Sequence, residues 1–274
     1  MTVTDSRSAK LDETMLGAGL LAGAANVIMQ LAHPGVGYGV VESRVESGRL
    51  FGHPVKRTRT TLTYLAVAVL GTDEERKAYR KAVNRQHAQV RSTASSPVRY
   101  NAFDPELQLW VAACLYRGFE DTCTAFLGPF DEQTLEEVYR ASATLGATLQ
   151  VREEMWPGDR AAFEEYWNAA LEKVSIDDTV REHLYDIATL KFLPAPVRAP
   201  FARFNLFVTT GFLPPRFREE MRLSWSPRQQ EGFDRLMRLI GTAARHSPRA
   251  MREFPYNFCL WDLRRRLAAG RALV

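Results

Sequence analysis

The chain has 274 residues, 46% of them apolar, 25% charged and 11% aromatic, a composition that excludes a disordered, collagenous or coiled-coil protein. Area scaling gives roughly 12,000 Å² of folded surface against about 45,000 Å² for the unfolded chain, enough burial for one large core and an internal ligand cavity. Thirty-six Lys and Arg against 32 Asp and Glu leave a net charge of +4, too small an excess to specify a nucleic-acid surface.

Residues 1–12 are polar and lack the apolar run of a signal peptide, so they read as a flexible N-terminal segment ahead of a single domain, 13–274. From Thr14 to Val41 there is no Asp, Glu, Lys or Arg. That is long enough to cross a bilayer, but its glycines, Asn26, Gln30 and His33 predict a buried helix and no integral span. Helical periodicity then recurs near 57–70, 73–93, 105–127, 132–148, 159–173, 177–191, 197–212, 227–245 and 256–269, after a first helix near 13–32. Thr72-Asp73-Glu74-Glu75 is a capping box, and Asp104-Pro105 places proline at a first helical position. Breakers such as SSP, WPGD and LPP separate the segments, and LPAPVRAP at 193–200 is the one candidate hinge. Strand signals are scarce, so the expected fold is an all-α, single-domain helical bundle. Cys114, Cys123 and Cys259 are odd in number, and the first two lie about 13 Å apart along one helix, beyond disulfide reach. A reducing cytoplasm is the expected location. No cysteine or histidine spacing suits zinc.

Wound at 3.6 residues per turn, the segment after Thr72 places Tyr79, Val83, His87 and Val90 on one face. His87 is the one strongly polar ring on that stripe, and an inward imidazole needs a carbonyl, a carboxylate, water or a metal. Upstream, Arg57 and Thr61 stand four apart and share a face with Tyr64, Leu65 and Ala68. An inward guanidinium there demands an anion; a plain ion pair with Glu42 or Glu46 is the alternative. His33-Pro34 adds a ring at a helix end. Phosphate-loop, zincin, nucleophile-elbow and paired-carboxylate motifs are absent. The arginine run at 264–266 reads as a solvated helix face, and the aromatics at 201–217 and 254–261 read as core.

The succession MQLAHPGVGYGVVES, RTRTTLTYLAVAVLGT, NRQHAQVR, NAFDPELQLWVAACLY and TTGFLPPRFREE resembles, in consistent order over most of 15–225, the DUF2236 family of latex-clearing rubber oxygenases and MpaB-type oxygenases. The resemblance implies a globin-reminiscent fold with an internal pocket for one haem b, and dioxygen chemistry. Carried over by position, His87 is the axial iron ligand, Arg57 and Thr61 form the Arg-xxx-Thr pair near the haem, and His33 lies near the pocket. A glutamate ahead of that pair is assigned as a base in latex-clearing enzymes; Glu42 and Glu46 are both candidates. Where many relatives carry a histidine, this chain reads WVAAC around Ala112. The lack of an export signal argues against polyisoprene as substrate. The resulting expectation is a haem b-dependent oxygenase acting with O2 on an apolar, lipid- or isoprenoid-like substrate. Its electron donor is unknown, it has no nucleic-acid partner, and homodimerisation is left open. The rivals are a haem-binding sensor or carrier, and a haem-free protein binding apolar ligands.

Overall fold

Thr72 and Asp104 open helices where the sequence places them. In the computed structural model, which describes residues 17–43, 45 and 50–274, the Thr72 hydroxyl accepts from the Glu75 amide and the Glu75 carboxylate accepts from the Thr72 amide. Asp104 accepts from the amides of Glu106 and Leu107, with Pro105 next in the chain. Both arrangements satisfy amide donors that have no partner inside the helix.

Fourteen α-helices and no strand occur among the described residues. A 3-10 segment, Gly17–Ala22, leads into α1 (Gly23–Leu31), α2 (Pro34–Val41), α3 (Pro54–Leu70), α4 (Asp73–His87), α5 (Pro105–Leu127), α6 (Glu132–Thr148) and α7 (Arg160–Leu171). There follow α8 (Asp178–Ala188), α9 (Ala195–Arg198), α10 (Ala202–Phe212), α11 (Pro215–Glu220), α12 (Pro227–His246), α13 (Arg249–Arg252) and α14 (Tyr256–Ala268). The expected flexible segment, 1–12, lies outside the described residues. The candidate hinge at 193–200 carries the short helix α9. All three cysteines are buried and free.

Helix α5 is central, packing against α1, α6 and α12, while α14 lies along α3. One continuous core joins these layers, with Trp110, Tyr116, Phe126, Tyr139 and Phe163 almost wholly buried. Trp110 and Trp167 stack at 5.3 Å between centroids, and Tyr116 meets Phe163 edge-on at 4.7 Å, both favourable aromatic geometries. The close α5–α12 crossing depends on Gly241, where an added Cβ would lie 2.0 Å from the Phe126 carbonyl oxygen.

Three sequence expectations are corrected. The uncharged stretch is partly buried among its described residues, with Ala25, Ile28, Met29 and Leu31 in the core and Leu20 exposed, and it breaks at His33 and continues as α2, a helix hidden from periodicity by Gly35, Gly37 and Gly39. At Gly37 a Cβ would come within 2.6 Å of the Leu31 carbonyl oxygen, so tight packing selects a residue of poor helix propensity. Helix α4 stops at His87 instead of running to 93. The chain turns there, with the Val90 amide donating to the His87 carbonyl at 2.9 Å, and folds back through an Arg91–Asn101 bridge. The aromatics at 201–217 and 254–261 are only partly core: Phe212, Phe217 and Tyr256 are buried, whereas Phe201, Phe204, Phe254, Phe258 and Trp261 are exposed. No described helix is long and apolar enough to cross a membrane.

Candidate functional site

Helices α3 and α4 form a hairpin through Gly71 and Thr72, and contacts along it run in opposite senses on the two helices. Arg76 Nε donates to the Ala68 carbonyl at 3.2 Å, Tyr79 donates its hydroxyl proton to the Thr60 carbonyl at 2.6 Å, and His87 feels the charge of Arg57. The two helices have similar lengths, 17 and 15 residues. The last residue of α4 therefore returns to the first turn of α3, which is how two motifs 30 positions apart come to share one site.

Arg57 is partly buried, and its Nη1 donates to Thr61 Oγ1 at 2.6 Å. The Thr61 hydroxyl in turn donates to the Arg57 carbonyl at 3.2 Å. No described carboxylate pairs with this guanidinium. The alternative sequence reading, an ion pair with Glu42, is not what the structure holds: Glu42 Oε2 accepts from Ser96 Oγ at 2.6 Å and from the Tyr100 hydroxyl at 2.8 Å. Glu46 lies outside the described residues. Desolvation holds the Arg57 pKa below its usual value, as expected for a cation removed from water.

His87 is partly buried, lies 6.5 Å from the Phe103 ring and hydrogen-bonds through its ring to no described residue. Burial first, and then the neighbouring Arg57 charge, lower its pKa, so the ring is neutral at pH 7 with a lone pair available. His33 behaves differently. It caps α2, its Nδ1 accepting from the Gly35 amide at 3.2 Å, and its ring lies 6.2 Å from that of Trp110. The cap commits Nδ1, and desolvation lowers this pKa too. The structure thus brings Arg57, Thr61 and His87 together and gives His33 a capping task. The loop 88–104 carries Phe103 toward His87 and clamps Glu42 through Ser96 and Tyr100. No spacing in the sequence pointed to those three loop residues. Ala112 is fully buried. Among the described residues no group of three His, Cys, Asp or Glu could hold a bare metal ion.

Residues 14–242 match the family model described as "ER-bound oxygenase mpaB/B'/Rubber oxygenase, catalytic domain". The chain is similar to uncharacterized protein Mb2261 of Mycobacterium bovis and uncharacterized protein Rv2237 of Mycobacterium tuberculosis. Each is 55% identical to it over 255 residues, covering 93% of this chain and 100% of the relative. No solved structure matches the chain. The matched span takes in α1 to α11 and most of α12, with both halves of the Arg57–His87 hairpin, and the chain belongs to the mpaB and rubber oxygenase catalytic-domain family.

Proposed function

We propose that the chain is a haem b-dependent oxygenase acting with O2 on an apolar, unsaturated substrate. The observation that carries the reading is the pairing of a neutral imidazole with a partly buried guanidinium, neither of which has a carboxylate partner among the described residues. A haem iron would take a neutral imidazole as a ligand, and its propionates would be anions for such a guanidinium. The residues present fit that group. His87 would hold the iron and Arg57, steadied by Thr61, would face a propionate. When bound, haem b supplies the redox centre for dioxygen chemistry.

The remaining work falls to the protein. Burial and the Arg57 charge keep His87 unprotonated, so it can ligate across the neutral pH range. Thr61 restrains the Arg57 rotamer, cutting the entropy lost when an anion docks. Glu42, fixed by two hydroxyl donors, stands as the candidate proton acceptor. Phe103, 6.5 Å from the His87 ring, would cover one side of the imidazole.

The test is an absorbance spectrum, oxidised and reduced, with iron quantified in parallel. The wild-type protein should carry about one haem per chain, and His87→Ala should lose it while keeping its helical circular dichroism. Unchanged haem content in that variant overturns the ligand role of His87. A colourless wild-type chain that takes up no haem on titration replaces this reading with a haem-free protein for apolar ligands. A ferrous spectrum of the six-coordinate type that carbon monoxide leaves unchanged would mark a sensor or carrier.

A further inference from the structure

The end of the chain is chemically unlike the rest. Residues 245–271 hold seven arginines against two acids, Glu253 and Asp262; Arg249 pairs with Glu253, Arg265 and Arg266 share Asp262, and Arg264 reaches Glu75 of α4, which leaves the surface with a net positive charge. Within this stretch Phe254, Phe258 and Trp261 follow one another at helical spacing and are 59%, 52% and 53% exposed. Their rings form a continuous stripe: Phe254 and Phe258 lie 6.5 Å apart, Phe258 and Trp261 5.5 Å apart, and the Arg265 guanidinium sits 5.1 Å from the Trp261 ring. Met251, at the head of the stripe, is 69% exposed. The opposite face of α14, with Tyr256, Cys259, Leu260 and Leu263, is buried along α3. The aromatic stripe is therefore the outer face of a firmly packed helix. Single exposed apolar residues are ordinary, but a contiguous aromatic row bordered by cations is a docking feature.

From this placement we infer that the α13–α14 surface docks on an anionic lipid bilayer. Phe258 and Trp261 would enter the headgroup–acyl boundary and the surrounding arginines would face lipid phosphates. Aromatic rings with a polar edge settle at that depth, and arginines keep their charged heads in the headgroups while their stems cover apolar surface. A second copy of the chain is a poor occupant, because a two-fold contact would set two surfaces of the same net positive charge against each other. The inference is independent of the chemistry proposed at His87, and the surface lies beyond residue 242, where the family match ends. It does bear on that chemistry, since the helix packed beneath the stripe, α3, carries Arg57.

The test is co-sedimentation of the full chain with vesicles of phosphatidylcholine alone and with about 30% phosphatidylserine. A blue shift of tryptophan emission, absent in Trp261→Phe, serves as a local readout. The expected result is at least about tenfold stronger partition onto the anionic vesicles, largely lost at about 0.5 M salt. It should also be lost in Phe258→Ser/Trp261→Ser. That variant removes only exposed groups, and an unchanged melting temperature verifies its fold. No binding to either vesicle overturns the proposal, whatever proteins the surface captures. So does equal, salt-insensitive binding to both, binding unchanged in the double variant, or binding that appears only after residues 1–16 are deleted. Concentration-dependent dimerisation abolished by the same double variant assigns the surface to a second copy and overturns it as well.

Discussion

Two regions of this protein handle buried arginine in opposite ways. Between α5, α6 and α7, Arg117 binds Glu120 at 3.1 Å and Glu164 at 2.6 Å, while Arg160 binds Glu120 at 2.7 Å and Glu132 at 3.0 Å. The Arg117 guanidinium also lies over the rings of Phe163 and Trp167 at 5.2 and 5.3 Å. Across the bundle, the side-chain partner of Arg57 among the described residues is a single hydroxyl, that of Thr61. A chain that surrounds two arginines with three glutamates has no difficulty supplying carboxylates, so a partly buried arginine with none among the described residues fits a place kept for an anion from outside. The network closes a structure. The Arg57 end leaves one open.

The largest expected effect comes from breaking the closed region. Glu120 is the shared acid, with 9% side-chain exposure, and Glu120→Gln leaves two largely buried guanidiniums without their common counterion. The expected cost is about 3–5 kcal/mol of unfolding free energy, read by urea denaturation. Arg57→Met should behave oppositely in the ligand-free chain. Removing a desolvated, uncompensated charge should change stability by less than about 1 kcal/mol or raise it. The same variant should weaken haem retention. A loss from Arg57→Met as large as that from Glu120→Gln would mean that Arg57 is a structural cation, and the contrast would disappear.

Asp121 sharpens the comparison from inside the closed region. It lines a cleft of about 560 Å³ between α5, α12 and the α10–α11 corner. Desolvation raises its pKa to about 7, against a smaller opposing pull from Arg117, with Glu120 and Glu164 adding to the rise. Because the folded pKa exceeds the unfolded one, the native state holds the extra proton between about 4 and 7, so stability falls as pH rises through that window. Asp121→Asn should therefore stabilise the protein at pH 8, by on the order of 1–3 kcal/mol, and do little at pH 4. Melting curves at the two pH values test this; equal effects at both would show that the carboxyl is ionised throughout.

The sequence made the helices legible where caps and periodicity agreed, as at Thr72, Asp104 and the α6 segment, because those signals are local. It concealed α2, whose glycines answer to a neighbour's carbonyl and not to helix propensity. It overran α4, because Val90 fits the apolar face by spacing while the chain has already turned to bridge Asn101. At the site, Arg57, Thr61 and His87 could be picked out by charge on an apolar face. Their convergence came from helix lengths and a two-residue turn, and the Ser96 and Tyr100 clamp on Glu42 from a loop without periodicity. Exposure was the least readable property: Phe258 and Trp261 look like core by type, and only the packing of α14 on α3 decides which side of that helix is covered.

The smallest effect concerns acid. His33, His87 and His183 all have pKa values lowered chiefly by desolvation. The unfolded chain thus binds protons at a higher pH than the native one, and the stability contributed by the neutral rings is complete above about pH 6.5 and lost as pH falls below it. His87→Leu should remove its share of that slope, so the melting temperatures of variant and wild type should converge or cross between pH 7 and pH 5. His33→Leu should flatten the slope as well, but it also deletes the α2 cap and should lower stability at every pH by about 1 kcal/mol. The two variants therefore separate a ring that supports the fold from one left free to ligate. If His87→Leu destabilises uniformly across pH as His33→Leu does, the imidazole at the end of α4 is part of the scaffold.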